Sequence, residues 1–194
     1  PNDAISKSQA RQQLGLNEKG KYLLFFGQIK KVKRLDVLLE AMKDVQENIK
    51  LIVAGKVWKD DFSVYQNIID KHQLGNRVQL DIQFISNDKK ELYFKASDVM
   101  VLPYEKIFQS GVLLTAMSYG MVSISSDIPA FRDVVDDNVD GFLFEKNDSQ
   151  ELAKKINDVA SNESRLTAVG DSAREKMLNV YSWDKIAGDY LAII

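Results

Sequence analysis

Short apolar runs alternate along this chain with segments whose apolar residues recur every three or four positions. The runs at residues 22–26 (YLLFF), Ile49–Ala54 and Val99–Leu102 are the right length and composition for buried β-strands. Between them, Leu35, Leu38, Leu39, Met42 and Val45 fall on one face of a helix. The pattern therefore predicts strands and amphipathic helices in alternation.

The same reasoning extends over the whole chain. Strands are predicted at residues 22–26, 49–54, 77–82, 99–102, 121–124 and 142–144. Helices are predicted at residues 3–14, 35–45, 60–72, 87–96, 111–119, 152–160, 162–179 and 183–193, with a further helix that has Asp127 near its cap and Pro129 in its first turn. The cluster Ser86–Asn87–Asp88 and the pair Asp148 and Glu151, which resembles a capping box, mark two helix starts.

Strands that are apolar throughout and alternate with helices imply a parallel sheet covered on both faces. We therefore predict one α/β domain over residues 1–194, a doubly wound, Rossmann-like parallel sheet of about six strands. Ligands of such sheets bind outside the carboxyl ends of the strands, at the switch in strand order. The loops after Phe26, Ala54, Ile82, Leu102 and Ile124 are expected to line any site.

Composition narrows the functional class. With 194 residues, 45% of them apolar, the chain can bury one sizeable core, and a net charge of −2 argues against nucleic acid or an anionic membrane as its main partner. It has no cysteine, which excludes disulfides and thiolate chemistry, and its single histidine, His72, gives no basis for proposing a Ser–His–Asp triad. No apolar run reaches the ~20 residues that span a bilayer. The start at Pro1 suggests a piece of a longer protein.

The loop after the first predicted strand, residues 27–34 (GQIKKVKR), carries four cations. It contains neither a GxGxxG nor a GK[ST] motif, but lysines can still neutralise phosphate as point charges. The alternative is an ordinary solvated basic loop.

The second candidate loop follows the strand Val99–Leu102 and ends at Ser110–Gly111, where a helix begins. The free N–H groups at such a helix start can bind an anion, most often phosphate. The alternative is a simple turn in which Ser110 caps the helix. Because both strands are predicted near the centre of the sheet, cations of the first loop could meet N–H groups of the second.

Outside these loops, His72 is expected at the surface or as a helix cap, and Trp58 and Trp183 as packing residues.

Four ordered segments resemble a known family: LLFFGQIKKVKRLDVLLEAM, LIVAGK, the stretch from NRVQLDIQF to LLTAMSYG, and SSDIPAFRDVVDDNVDGFLF. Together they resemble the C-terminal, nucleotide-sugar-binding domain of retaining glycosyltransferases of the GT-B fold, group 1 (family 4). The resemblance covers about residues 18–190.

The resemblance implies a role for each matching position. The donor diphosphate would be held by Gly27, Gln28, Lys30, Lys33, Ser110, Gly111 and Val112, with Gln28 standing where many members have arginine. Thr115 would contact the ribose, Phe84 and Ile85 the nucleobase, and Phe108, Gln109 and Glu105 the donor sugar, although Glu105 read by itself is a solvent-exposed carboxylate. No metal or other cofactor is expected.

One departure from the family concerns the chemistry. Most members carry two glutamates in an E-x7-E motif, and here those positions are Ile107 and Thr115. Thr115 can still hydrogen-bond a hydroxyl, whereas Ile107 cannot. A related subgroup with a PY…QSGV loop also lacks the glutamates, so the catalytic residues are left unassigned.

The implied function is donor binding within an enzyme that transfers a hexosyl group, with retention, from a UDP- or GDP-sugar to a glycan or glycolipid acceptor in polysaccharide biosynthesis. The acceptor would bind mainly to an N-terminal domain outside these residues, so the isolated domain is expected to be inactive. The expected location is the cytoplasm, with the inner face of the membrane as the alternative for the full-length protein, and nucleic acid is not an expected partner. The alternatives are a non-catalytic accessory subunit of the same fold and, more remotely, a nucleotide-sugar epimerase.

Overall fold

Six parallel strands form one sheet in the order β3-β2-β1-β4-β5-β6 in the computed structural model, which describes residues 5–59 and 61–191. The strands are β1 (Lys21–Phe26), β2 (Ile49–Ala54), β3 (Val78–Asp81), β4 (Val99–Leu102), β5 (Val122–Ser126) and β6 (Phe142–Phe144). The α-helices are α1 (Lys7–Gln13), α2 (Leu35–Ala41), α3 (Ser63–Lys71), α4 (Asn87–Ala96), α5 (Gly111–Ser118), α6 (Pro129–Arg132), α7 (Ser149–Ala160), α8 (Glu163–Asn179) and α9 (Trp183–Leu191). Short 3₁₀ helices occupy Lys31–Lys33 and Leu74–Asn76. The predicted fold class is confirmed.

The two central strands are buried on both faces. Every residue of β4 is buried, as is β1 from Tyr22 to Phe26, and neighbouring residues of a strand point to opposite faces. Helices therefore cover both sides of the sheet, with α2 packed against α3 and α7, α1 against α4, and α5 against α8. None of the described helices is both long and apolar enough to cross a membrane.

Several predicted boundaries are wrong. Helix α2 ends at Ala41 rather than at residue 45, although Met42 and Val45 are still buried, because the turns that follow also pack on the core. The strand predicted at 121–124 runs from Val122 to Ser126. The predicted helices 3–14, 60–72 and 183–193 begin or end at residues outside the described part of the chain (3, 4, 60, 192 and 193), and within the described residues they correspond to the shorter helices α1 (Lys7–Gln13) and α3 (Ser63–Lys71) and to α9 (Trp183–Leu191).

The predicted helix caps are only partly correct. Asp148 accepts hydrogen bonds from the N–H groups of Gln150 and Glu151, both at 2.9 Å, but Glu151 accepts from the N–H of Glu145 instead of completing a capping box. Ser86 occupies the N-cap of α4 without a capping hydrogen bond from its side chain. Asp127 directly precedes Ile128, the N-cap of α6, and Pro129 lies in the first turn, as predicted; Asp127 pairs with Arg132. The cap at Asp148 is therefore confirmed, whereas the capping box with Glu151 is wrong.

The strand order places a switch point at the centre of the sheet. From β1 the chain moves outward to β2 and β3, and then returns to the other side of β1 to form β4. The loops after β1 and β4 therefore diverge at adjacent strand ends and open a crevice there. These are the two loops singled out by their cations and their helix start.

Candidate functional site

The loops after β1 and β4 are joined directly by their backbones. The N–H of Glu105, in the β4 loop, donates to the carbonyl oxygen of Val32, in the β1 loop, at 2.9 Å. The crevice therefore has one basic wall, residues 27–34, and one wall that leads into the start of α5.

Lys33 is the cation of the basic loop that faces this crevice. Its Nζ lies 5.0 Å from the centre of the Tyr104 ring, and a β-carbon placed on Gly27 would lie 3.4 Å from the same Nζ. That β-carbon would also lie 3.7 Å from Cγ2 of Val112, in the first turn of α5. Gly27 has a φ of +94°, which favours glycine. Lys33, Gly27 and Val112 are thus brought together, as the predicted diphosphate site requires.

The other cations of the loop point elsewhere. Arg34 is bound by Asp36 through both its Nε and its Nη2, and this carboxylate raises the pKa of the guanidinium. Lys31 is exposed, and the Nζ of Lys30 lies 5.1 Å from the ring centre of Trp58. Lys33 is therefore the lysine of this loop that is placed against the start of α5.

Burial makes the charge of Lys33 costly. Burial first, and then the nearby charge of Lys30, lower the pKa of Lys33 to about 8. Among the residues that the structure describes, no carboxylate forms an ion pair with Lys33. A partly buried ammonium group without a counter-ion is suited to bind an anion.

The start of α5 supplies free hydrogen-bond donors on the opposite wall. Ser110 is the N-cap, and its Oγ accepts a hydrogen bond from the N–H of Leu113 at 3.2 Å. Within the described residues, the N–H groups of Gly111 and Val112 have no acceptor. A β-carbon on Gly111 would meet nothing within 4 Å, so the space beside this turn is open. Ser110 therefore caps the helix, and the N–H groups of Gly111 and Val112 stay available to a ligand.

The remaining residues assigned by resemblance lie around the crevice, mostly at the surface. Gln28, Glu105 and Gln109 are exposed, Phe84 and Phe108 are 77% and 99% exposed, and Ile85 is half-buried. Thr115 donates its hydroxyl proton to the carbonyl oxygen of Gly111 at 2.6 Å, which leaves the oxygen free only as an acceptor. Ile107 packs against the hydrophobic core.

Two aromatic residues lie in loops that were predicted to line the site, but neither was assigned a role there. Tyr104 is buried under Lys33 with its ring 5.6 Å from that of Phe131. Its hydroxyl has no hydrogen-bond partner among the described residues, and burial raises its pKa. Trp58 is 46% exposed, so the prediction of a packing residue is wrong. The signal available in the sequence was position, since both follow a predicted strand by only a few residues.

The backbone explains why Trp58 points outward. Ile29 and Val57 form a parallel bridge, and the N–H of Trp58 donates to the carbonyl oxygen of Ile29 at 3.0 Å. Val57 packs against the core, so its neighbour in this extended segment faces solvent. The side chain of Trp183 lies outside what the structure describes.

His72 lies apart from the crevice. It is the C-cap of α3, and its Nε2 lies 2.7 Å from Oε2 of Glu40, so the expected capping role is confirmed. In the described part of the chain, no three His, Asp or Glu side chains are grouped as metal ligands would be.

The sequence matches the profile of the family Glycosyl transferases group 1 over residues 6–176. An uncharacterized glycosyltransferase of Methanocaldococcus jannaschii is 27% identical over 164 residues, which are 84% of this chain and 44% of that protein. A D-inositol 3-phosphate glycosyltransferase of Xylanimonas cellulosilytica is 24% identical over 194 residues, 100% of this chain and 46% of that protein. The chain thus spans about half the length of the curated relatives it matches.

Solved structures share the fold. Sucrose-phosphate synthase from Thermosynechococcus elongatus superimposes with a TM-score of 0.86 at 22% identity, over 95% of this chain and 47% of that one. Anabaena HepE, solved in complex with UDP, superimposes with a TM-score of 0.87 at 20% identity, over 100% of this chain and 54% of that one. The C-terminal domain of a group 1 family glycosyl transferase (LpcC) from Francisella tularensis superimposes with a TM-score of 0.81 at 20% identity, over 93% of this chain and 95% of that one.

Proposed function

Because this chain belongs to the group 1 glycosyl transferases, we propose that it binds the nucleotide-sugar donor of a retaining hexosyltransferase. The donor would be a UDP- or GDP-sugar, and the acceptor a glycan or glycolipid in polysaccharide biosynthesis. The acceptor would bind mainly to a second domain, so this chain by itself would bind the donor without transferring the sugar. We place the reaction in the cytoplasm, with the full-length protein peripheral to the inner face of the membrane.

One observation carries the proposal: Lys33, a partly buried ammonium group, faces the free N–H groups of Gly111 and Val112 across the crevice. Together they offer a positive charge and the positive end of a helix dipole to a single anion. A diphosphate fits this arrangement because it presents several anionic oxygens to both walls. The solved complexes of HepE with UDP and with UDP-glucose support the proposal that this diphosphate belongs to a nucleotide.

In transfer, the diphosphate is the leaving group and gains negative charge as the bond to the sugar breaks. Lys33 and the first turn of α5 would stabilise that charge from positions fixed before the reaction starts. Gly27 lets the backbone approach the diphosphate closely, and Gln28 reaches it from the exposed side of the loop. Phe108, Gln109 and Glu105 would lie beside the sugar, and Thr115 would accept a hydrogen bond from a ribose hydroxyl. No metal is needed for this stabilisation, and we assign no catalytic residue.

Calorimetric titration of this chain with UDP, GDP and ADP tests donor binding. Replacing Lys33 with alanine removes the charge, and we expect the affinity for the preferred nucleotide to fall roughly 10- to 100-fold. Lys154→Ala, on the exposed face of α7, is the matched control and should leave the affinity unchanged. Equal affinities of the Lys33→Ala variant and the wild-type chain would exclude Lys33 from the site.

The packing of Ile107 favours a second candidate, a non-catalytic accessory subunit of the same fold. Ile107 stands where most of the family has a glutamate and is partly buried against the core, so it offers no group to the sugar. Incubating the full-length protein with a panel of UDP- and GDP-sugars, with release of the free nucleotide as the readout, separates the two. Turnover of any donor excludes the accessory role.

A further inference from the structure

Trp58 presents an exposed indole with two lysines beside it. The Nζ of Lys30 lies 5.1 Å from the ring centre and that of Lys59 lies 5.9 Å from it, while the residue as a whole is 46% exposed. The two lysines come from different loops, after β1 and after β2, so the grouping depends on the contact between those loops.

Backbone hydrogen bonds hold the main chain at Trp58 in place. Trp58 donates its N–H to Ile29 at 3.0 Å, Ile29 donates to Lys56 at 2.9 Å, and Gly27 donates to Ala54 at 2.9 Å. These bonds continue the β1–β2 pairing beyond the strands. The backbone that carries the indole is therefore fixed relative to the loop that carries Lys33.

Charge and shape together define what this surface can bind. No described carboxylate forms an ion pair with Lys30 or Lys59. An exposed ring next to unneutralised ammonium groups suits a flat aromatic group attached to an anion. A nucleotide has both parts.

The strand order places Trp58 on the path of such a ligand. The diphosphate walls lie at the ends of β1 and β4, and Phe84 lies in the loop after β3. Because adjacent strands are about 4.8 Å apart, the end of β3 is roughly 10 Å from the end of β1, with β2 between them. A nucleoside that extends from the diphosphate toward Phe84 has to cross the end of β2, where Trp58 is exposed.

We propose that Trp58 is a stacking surface for the nucleobase of the donor, and that Lys30 and Lys59 bind on the phosphate side of the same nucleoside. This inference rests on the proposed function and adds a residue that the family resemblance does not assign. It also changes the expected role of Lys30, whose ammonium group lies by the indole and not by the start of α5.

The experiment measures two ligands on the same variants. We expect Trp58→Ala to lower the affinity for UDP, or for the nucleotide that the wild-type chain prefers, roughly tenfold, because base–aromatic stacking is lost. Trp58→Phe keeps a ring and should lose less than threefold. Inorganic pyrophosphate has no base, so its affinity should change less than twofold in both variants. Val64→Ala removes another exposed apolar side chain and should change neither affinity.

The outcomes separate this inference from the proposed function. If nucleotide binding depends on Lys33 but is the same in Trp58→Ala as in the wild-type chain, the stacking role is wrong while donor binding stands. An equal loss of pyrophosphate and nucleotide affinity would also overturn it, because the effect would then come from the loop and not from the base. An increase confined to the acceptor KM of the full-length enzyme would assign Trp58 to the acceptor instead. If the wild-type chain binds no nucleotide, the proposed function itself fails.

Discussion

Lys33 shows how a single residue can be poorly placed for stability and well placed for binding. Burial lowers its pKa to about 8, so the charged form is unfavourable in the empty protein. At pH values below the folded-state pKa of about 8, the charge of Lys33 lowers the folding stability by its full amount. This cost disappears as the pH rises through the unfolded-state pKa of 10.5. A bound diphosphate supplies the missing counter-charge, so that the charged form of Lys33 becomes favourable.

The first prediction follows from that pKa. Between pH 7 and pH 9 the affinity for UDP should fall roughly tenfold, because the ammonium group of unliganded Lys33 loses its proton while the terminal phosphate is already ionised. Lys33→Arg keeps the charge at both pH values and should flatten the profile. Calorimetry in buffers of different ionisation enthalpy should also detect proton uptake on binding near pH 8. An unchanged slope in Lys33→Arg would assign the pH dependence to another group.

The second prediction concerns the ring beneath Lys33. Tyr104→Phe keeps the aromatic face and removes a hydroxyl that has no partner, so both the stability and the UDP affinity should stay close to wild type. Tyr104→Leu removes the ring, and we expect about fivefold weaker UDP binding from the lost cation–π contact. Thermal denaturation separates this loss from a general loss of stability. If the leucine and phenylalanine variants bind UDP equally well, the ring does not position Lys33.

At the scale of elements, the site depends on how the β1 and β2 loops pack on each other. Gly55 has a φ of +152°, and a β-carbon on it would lie 1.9 Å from the carbonyl oxygen of Gly27. Two backbones approach here more closely than any side chain permits. This contact fixes both the loop that carries Lys33 and the segment that carries Trp58.

The third prediction tests that contact. Gly55→Ala forces the two loops apart, and we expect the free energy of unfolding to fall by about 2–4 kcal/mol. The UDP affinity of the folded fraction should fall as well, because the loop of Lys33 shifts. Gly75→Ala is the matched control, since a β-carbon there meets nothing within 4 Å, and it should change stability by less than about 1 kcal/mol. Similar stabilities of the two variants, measured by urea denaturation, would contradict the argument.

At the scale of the whole molecule, a buried ion pair holds α1 against the amino ends of the two central strands. Arg11 and Asp98 are both buried, with Nη2 and Oδ2 2.9 Å apart. Asp98 also accepts a hydrogen bond from the N–H of Tyr22 at 2.7 Å and pairs with Lys7. One carboxylate thus connects α1, β1 and the start of β4 at the amino ends of the strands.

The fourth prediction is that Asp98→Asn destabilises the fold by about 3–5 kcal/mol, because Arg11 is left buried without a counter-charge. Adding Arg11→Met should recover part of that loss, which a double-mutant cycle measures. The exposed pair of Arg132 and Asp127 serves as the comparison, and breaking it should cost less than about 1 kcal/mol. The UDP affinity should not change, since the ion pair and the crevice lie at opposite ends of the strands. Additive losses in the double variant would show that the two charges act independently.

Much of the fold was predictable because its signals are local. The strands Ile49–Ala54, Val99–Leu102 and Phe142–Phe144 and the helix Asn87–Ala96 have the predicted bounds, since apolar periodicity and flanking polar residues define them within one segment. The capping box at Asp148 was wrong because Glu151 has a partner outside its own first turn. Such a competitor is not visible in a four-residue pattern.

The sequence by itself determined the α/β class, the parallel sheet and the helix start at Ser110, because burial and periodicity act over short stretches of chain. It also marked the basic loop, where the family resemblance assigned Lys33 and Lys30 to the diphosphate without showing which of the four cations faces the crevice. Only the tertiary structure decided that Lys33 does, that Arg34 is occupied by Asp36 and that Lys30 lies beside Trp58. The contacts of Lys33 with Tyr104 and of Lys30 with Trp58 join residues far apart in the chain. They form only when the strand order brings the ends of β1, β2 and β4 together.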